Sequence, residues 1–136
     1  MNEELAAPVR RYYDQVVNQQ NVAVLDTLLA SNYQHNGEGR GVSGEAASVR
    51  ARIGAFPDIR AEIVAMLAEG DQVAVRVRWR GTQKGTWLGL PATGRTVEWD
   101  GMAFHEVRDG RLAKSYSLED EHALLRQMRP SGVGPR

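Results

Sequence analysis

Near Pro57 the hydrophobic pattern of this chain changes period, from the spacing of a helix to the alternation of a strand. That change divides the fold into two halves. Leu5, Val9, Tyr12, Tyr13, Val16 and Val17 fall on one stripe of a helix running from about Glu3 to Gln19. Pro8 sits early enough to be tolerated in or near its first turn, or else marks where the helix begins. After Gln20-Asn21 a short helix carries Val22, Leu25, Leu28 and Leu29, and Ser31-Asn32 stop it before the extended segment Tyr33-Gln34-His35-Asn36. Gly37, Gly39 and Gly41 predict a loop. Ser43 is the expected N-cap of a third helix, with Glu45 in the first turn and Ala46, Val49, Ile53 and Phe56 on its apolar face.

From Ile59 onward, Val73, Val75, Val77 and Trp79 alternate with Ala74, Arg76, Arg78 and Arg80, which describes a strand with one dry and one charged face. Turn signals at Glu69-Gly70-Asp71 and Arg108-Asp109-Gly110 separate it from strands at about 59–68, 94–107 and 111–118, in an antiparallel meander. Asp120 then caps a short helix bearing Ala123, Leu124, Leu125 and Met128, and residues 130–136 are expected to be a disordered tail. The predicted class is α+β: a curved antiparallel sheet wrapped with three to four helices into a cone-shaped barrel enclosing a pocket.

A chain of 136 residues suits one domain, here 1–129, and a single site. With 17 basic and 17 acidic residues and no basic run longer than Arg10-Arg11, the charge pattern argues against nucleic acid. There is no cysteine, which excludes disulfides and thiolate chemistry, and no His/carboxylate spacing suggests a metal. No apolar stretch approaches the roughly 20 residues that span a bilayer, and no signal-peptide core is visible, so a cytoplasmic location is expected.

The segment Gly85-Thr86-Trp87-Leu88-Gly89-Leu90-Pro91-Ala92-Thr93-Gly94-Arg95-Thr96-Val97 resembles a signature stretch of SnoaL-like polyketide cyclases, of the nuclear transport factor 2-like superfamily. Tyr33-Gln34-His35-Asn36, Phe56-Pro57-Asp58, the Arg108-Asp109-Gly110-Arg111 hairpin and Leu124-Leu125-Arg126-Gln127-Met128 extend the resemblance to roughly residues 5–129. Ala92 departs from the pattern where the family often has a second proline. The resemblance implies cofactor-independent chemistry by few polar groups in a dry cavity, such as an intramolecular aldol ring closure, with ketosteroid isomerase and limonene-epoxide hydrolase as related folds. The cyclases' aspartate on the last strand falls on Ser117 and their partner histidine on Ala103, so that mechanism does not carry over residue by residue.

His35 is the leading candidate: alternation sends Tyr33 and His35 to one side, which in the family faces the cavity, so His35 is a base or hydrogen-bond donor there, or else satisfies a loop carbonyl. Asp120 is a helix cap or a second acidic site group. Asp100 has outward parity and would pair with Arg76 or Arg78, unless a bulge near Gly101 makes it a pocket carboxylate. Trp79, Trp99 and Ala103 share the inner parity, Trp87 lies in a loop expected to close over the mouth, and Tyr12, Tyr13 and Val16 would form the opposite wall. Ser115 and Ser117 would orient a ligand without a Ser-His-Asp arrangement, while His105 and His122 read as packed or surface histidines. Three functions compete. The first is cyclisation, isomerisation or dehydration of a small apolar carbonyl metabolite through His35. The second is epoxide opening, with Asp100 and Asp120 facing one cavity. The third is non-catalytic binding of a small molecule. The family's habit implies a homodimer through the outer sheet face.

Overall fold

The computed structural model describes residues 2–129; the tail expected at 130–136 lies outside them. Asn2 opens α1 (Glu3–Arg11), its side chain accepting a hydrogen bond from the Leu5 N–H at 3.2 Å, with Glu3 and Glu4 at the electropositive helix start. Pro8 is buried inside α1, beyond the first turn where it was expected. The helix does not continue unchanged to Gln19, because Tyr12–Asn18 widen into a π-helix that keeps Tyr13, Val16 and Val17 buried together. Asn18 then clamps the segment to the sheet, exchanging hydrogen bonds of 2.7 and 2.9 Å with the backbone of Ala61.

A single 3-10 turn (Val22–Val24) leads into α2 (Leu25–Leu28). Leu29 opens β1 (Leu29–His35) rather than ending a helix, and Ser31-Asn32 lie inside the strand instead of stopping its predecessor. The reason is a distant partner: β1 pairs in parallel with β6 (Arg111–Glu119), and that pairing overrides the local turn chemistry. Asn36 and Gly37, both at positive φ, turn β1 back onto β2 (Glu38–Gly39) within the expected loop. α3 (Gly41–Ala55) starts earlier than predicted, so exposed Ser43 lies within it and caps nothing; Arg40 holds the cap position, and its side chain makes no capping bond to the backbone of the first turn.

β3 (Arg60–Glu69), β4 (Gln72–Thr82) and β5 (Thr96–Arg108) form the expected antiparallel meander with β6, and the whole sheet runs β2-β1-β6-β5-β4-β3. The sheet is therefore mixed and open, and the α+β class with its cone-like curvature stands. Register between β4 and β5 is unbroken from Gln72 opposite Glu106 to Thr82 opposite Thr96, so no bulge occurs at Gly101. Val73, Val75, Val77 and Trp79 face inward, as do Val97, Trp99, Ala103 and His105 across from them. α4 (Glu121–Met128) is capped by Asp120, which accepts from the Ala123 N–H at 3.0 Å, and packs against β5. Among the described residues no helix is long and apolar enough to cross a membrane.

Candidate functional site

The concave face of the sheet, the π segment and α3 enclose a cavity of about 130 Å³. Alternation along β1 places Tyr33 and His35 there, and alternation along β6 places Ser115, Ser117 and Glu119 on the inner face. His35 Nδ1 lies 3.3 Å from the Tyr33 hydroxyl and 3.9 Å from Glu45 Oε1, while Nε2 lies 3.0 Å from Ser117 Oγ. Burial, then the Arg40 charge, lowers the His35 pKa, so the ring is neutral at pH 7.

α3 supplies the other wall. Glu45, Ser48, Val49, Arg52 and Ile53 follow helical spacing and all line the cavity, so the inward stripe of α3 carries two charges. Glu45 is 2% exposed, accepts a hydrogen bond from Arg40 at 2.7 Å and takes the Tyr12 hydroxyl on its other oxygen. Glu119 receives both guanidinium nitrogens of Arg52, at 3.0 and 2.7 Å, and the Trp99 indole N–H at 2.7 Å. The Arg52 guanidinium lies over Trp79, 4.4 Å from the ring centre, and 5.5 Å from that of Trp87. Gly101 makes room for this cluster: a Cβ there would meet Trp79 Nε1 at 3.0 Å and Glu119 Cγ at 3.1 Å.

His105 is buried, with Nε2 at 2.8 Å from the Tyr13 hydroxyl and Nδ1 at 2.7 Å from Ser115 Oγ. Burial, with a smaller effect of His35, lowers its pKa to about 4. Burial also raises the pKa values of Tyr12, Tyr13 and Tyr33, which stay protonated.

The structure thus gathers His35, Tyr33, Tyr13, Trp79, Ala103 and Ser117 around one cavity. Others fall elsewhere. Asp100 keeps its outward parity and pairs with Arg76 at 3.1 Å and Arg78 at 3.7 Å, and Asp120 is taken up as the α4 cap. The two carboxylates required for epoxide opening therefore do not share the cavity. Val16 is fully buried core rather than wall, and Trp99 stands behind Glu119. Trp87 does not close the mouth: the bonds between Trp87 and Leu90 tighten its loop and the ring packs on Phe56, 5.8 Å between centres. Sequence reasoning missed Glu45, Glu119, Arg40 and Arg52 as cavity groups, whereas His105, read as a packed or surface histidine, is packed on the inner face and also reaches the cavity. The available signal was spacing, since Glu45 and Arg52 flank Val49 at helical intervals and Glu119 shares parity with Ser117. Among the described residues, no group of three or more His, Cys, Asp or Glu is placed to hold a metal ion.

No functionally curated protein matches the sequence. Solved structures do. A SnoaL-like polyketide cyclase from Agrobacterium tumefaciens shares 26% identity at a TM-score of 0.83, over 92% of this chain and 98% of that one. TsrD from Streptomyces laurentii shares 25% at 0.86, over 94% and 96%. IdmH from Streptomyces antibioticus shares 25% at 0.79, over 90% and 96%. The family model for SnoaL-like polyketide cyclases matches residues 7–128, nearly all of the described fold with its cavity, and the chain belongs to that family.

Proposed function

We propose that this cavity is the active site of a cofactor-independent enzyme that moves a proton on a small, neutral, largely apolar carbonyl compound, in a cyclisation, isomerisation or dehydration. The observation that carries the reading is the His35–Ser117 pair, 3.0 Å apart, which puts a hydrogen-bonded hydroxyl at the position of the family's aspartate. Such a pair holds the carbonyl oxygen and polarises the adjoining C–H bond. The carbon proton needs a separate acceptor, and Glu119, one pleat beyond Ser117 on the same face, is the carboxylate placed to take it. Glu45 pairs with Arg40 and Glu119 with Arg52, so the walls carry no excess charge and favour a neutral ligand. A volume of about 130 Å³ resembles the roughly 150 Å³ cavity that accepts benzene, which points to a substrate of about one ring.

Hydrogen–deuterium exchange in heavy water tests this before the final product is known. A panel of single-ring and short-chain ketones and β-dicarbonyl compounds is expected to exchange at the carbon next to the carbonyl in the presence of the protein. His35→Ala and Ser117→Ala should each reduce that exchange at least tenfold. Binding without exchange for every compound would leave a small-molecule carrier instead. The same reading includes a cytoplasmic location and a homodimer formed through the outer sheet face, the second of which is argued in the Discussion.

A further inference from the structure

Two tryptophans of the inner face, Trp79 and Trp99, are register partners on β4 and β5, and their rings stack 11° apart with 6.3 Å between centres. Their indole N–H groups differ. That of Trp99 is bonded to Glu119 at 2.7 Å. That of Trp79 has no hydrogen-bond partner among the described residues, although Trp79 is only 8% exposed and lines the cavity. A buried indole normally finds an acceptor, so an unmatched one marks a place where a ligand supplies it. Nε1 is also within reach of a small molecule, because Glu106 Oε2 is the only side-chain nitrogen or oxygen sealed away without a hydrogen bond among the described residues.

The space in front of this N–H comes from Gly101. A Cβ there would meet Trp79 Nε1 at 3.0 Å and Glu119 Cγ at 3.1 Å, so the missing side chain leaves a notch between the indole edge and the carboxylate arm. Gly101 lies opposite Glu119, and the next inward pair along the strands is Ala103 opposite Ser117. Two small residues thus floor this part of the cavity, with the Trp79 N–H at one end and the His35–Ser117 pair one pleat away, roughly 7 Å along the strands. The indole is held in place, since the Arg52 guanidinium lies 4.4 Å over its ring and Tyr13 meets it edge-on at 6.1 Å.

We infer that the Trp79 indole N–H is a ligand-binding donor, and that the substrate carries a second acceptor oxygen across one ring from the carbonyl held at His35 and Ser117. Trp79 then fixes which way round the ring lies, and Gly101 sets how closely the second oxygen approaches. A ligand that lacks this oxygen leaves the indole unmatched once the ring fills the cavity, so the donor selects against it. The substrate class narrows from a ring ketone to a ring bearing two oxygens, such as a cyclic diketone or hydroxyketone. The place of the first carbonyl rests on the carbonyl chemistry proposed above, whereas the Trp79 donor does not.

Cyclohexanone and cyclohexane-1,4-dione, titrated into the intact nitrogen-15-labelled protein, test this on the natural chain. Three indole N–H signals report separately on Trp79, Trp87 and Trp99. The dione is expected to move the Trp79 signal downfield and further than the other two, whereas cyclohexanone should bind with little effect on it. The dione should also bind about fivefold tighter, more than the roughly twofold that its two equivalent ends give. If Trp79 is only an apolar wall, the second oxygen loses its water without gaining a partner, and the dione binds more weakly than cyclohexanone. That order, or a Trp79 signal indifferent to the dione, overturns the inference. Trp79→Phe keeps an aromatic ring beneath Arg52 and removes the donor, so it should weaken the dione about fivefold and cyclohexanone under about twofold. An equal loss for both would show packing alone and would equally overturn it. Dione binding at Trp79 without exchange at carbon would remove the carbonyl chemistry and leave this donor standing, and if neither ketone binds, both readings fall.

Discussion

His105 is 4% exposed and both its ring nitrogens are hydrogen-bonded to neutral groups, so nothing nearby compensates a proton on it. Its pKa of about 4 lies below the ordinary histidine value of about 6.5, which means that the unfolded chain binds the proton more readily. Its contribution to stability is full above about pH 6.5 and is lost as the pH falls towards 4, by up to about 3 kcal/mol. His35 is shifted in the same direction and adds to the slope. Urea midpoints measured from pH 7 to pH 4 should fall steeply in the natural protein and less steeply in His105→Asn. A contrast between carboxylates belongs to the same scale. Glu119 holds a largely buried arginine, and Glu119→Gln should cost about 2 kcal/mol because Arg52 loses its counter-charge, and should abolish exchange because the proposed proton acceptor is gone. Asp100 shares two half-exposed arginines on the outer face, and Asp100→Asn should cost under about 1 kcal/mol and leave exchange unchanged. Equal loss of exchange in both variants would mean that the outer carboxylate reaches the chemistry through the sheet.

α4 begins at Asp120, whose side chain bonds the Ala123 N–H, and this local geometry separates a capping role from a catalytic one. Asp120→Ala should cost about 1 kcal/mol in thermal or urea unfolding with exchange undiminished, and Asp120→Asn should recover most of the loss. Exchange lost in both would assign Asp120 to the site. What the sequence could say of each element depended on how local its causes were. The parity of β4 and β5 was legible because their register runs unbroken, so the outward Asp100 and inward Trp99 followed from alternation alone. β1 was not, because its partner β6 lies some 80 residues later, and only that partner explains why Ser31-Asn32 are extended. α3 misled for a different reason. Its inward stripe contains Glu45, Ser48 and Arg52, and a reading that assigns charges to the solvent face hides half of the site. The π segment gave no local warning either. Val16, placed on the apolar stripe, becomes core, while Tyr12 and Tyr13 both reach the cavity.

The outer face of the sheet bears on the state of the whole molecule. Leu67, Met102, Phe104, Tyr116 and Leu118 are exposed, with Leu118 at 82% and Met102 at 63%, and cross-strand pairing sets Met102 beside Leu118 and Phe104 beside Tyr116. Water gains little from such a surface, and a contiguous apolar patch of this kind marks a contact. The arginines around it each have a carboxylate within the chain, Asp100 shared by Arg76 and Arg78 and Glu98 beside Arg80, so the apolar residues rather than unpaired charges define the contact. A second copy fits best, since a twofold contact sets the same apolar residues against themselves. Light scattering behind size exclusion should give twice the chain mass of 15.0 kDa, and Met102→Asp with Leu118→Asp should halve it. The backs of these residues are the wall of the cavity, because Ala103 and Ser117 alternate with them on β5 and β6. A dimer would therefore stiffen the strands that carry the Ser117 hydroxyl, and the double variant should lose affinity for the exchanging ligand more than it loses exchange at saturation. A natural chain that weighs 15.0 kDa at every concentration would return the patch to solvent and leave α3 and the π segment alone to shape the site.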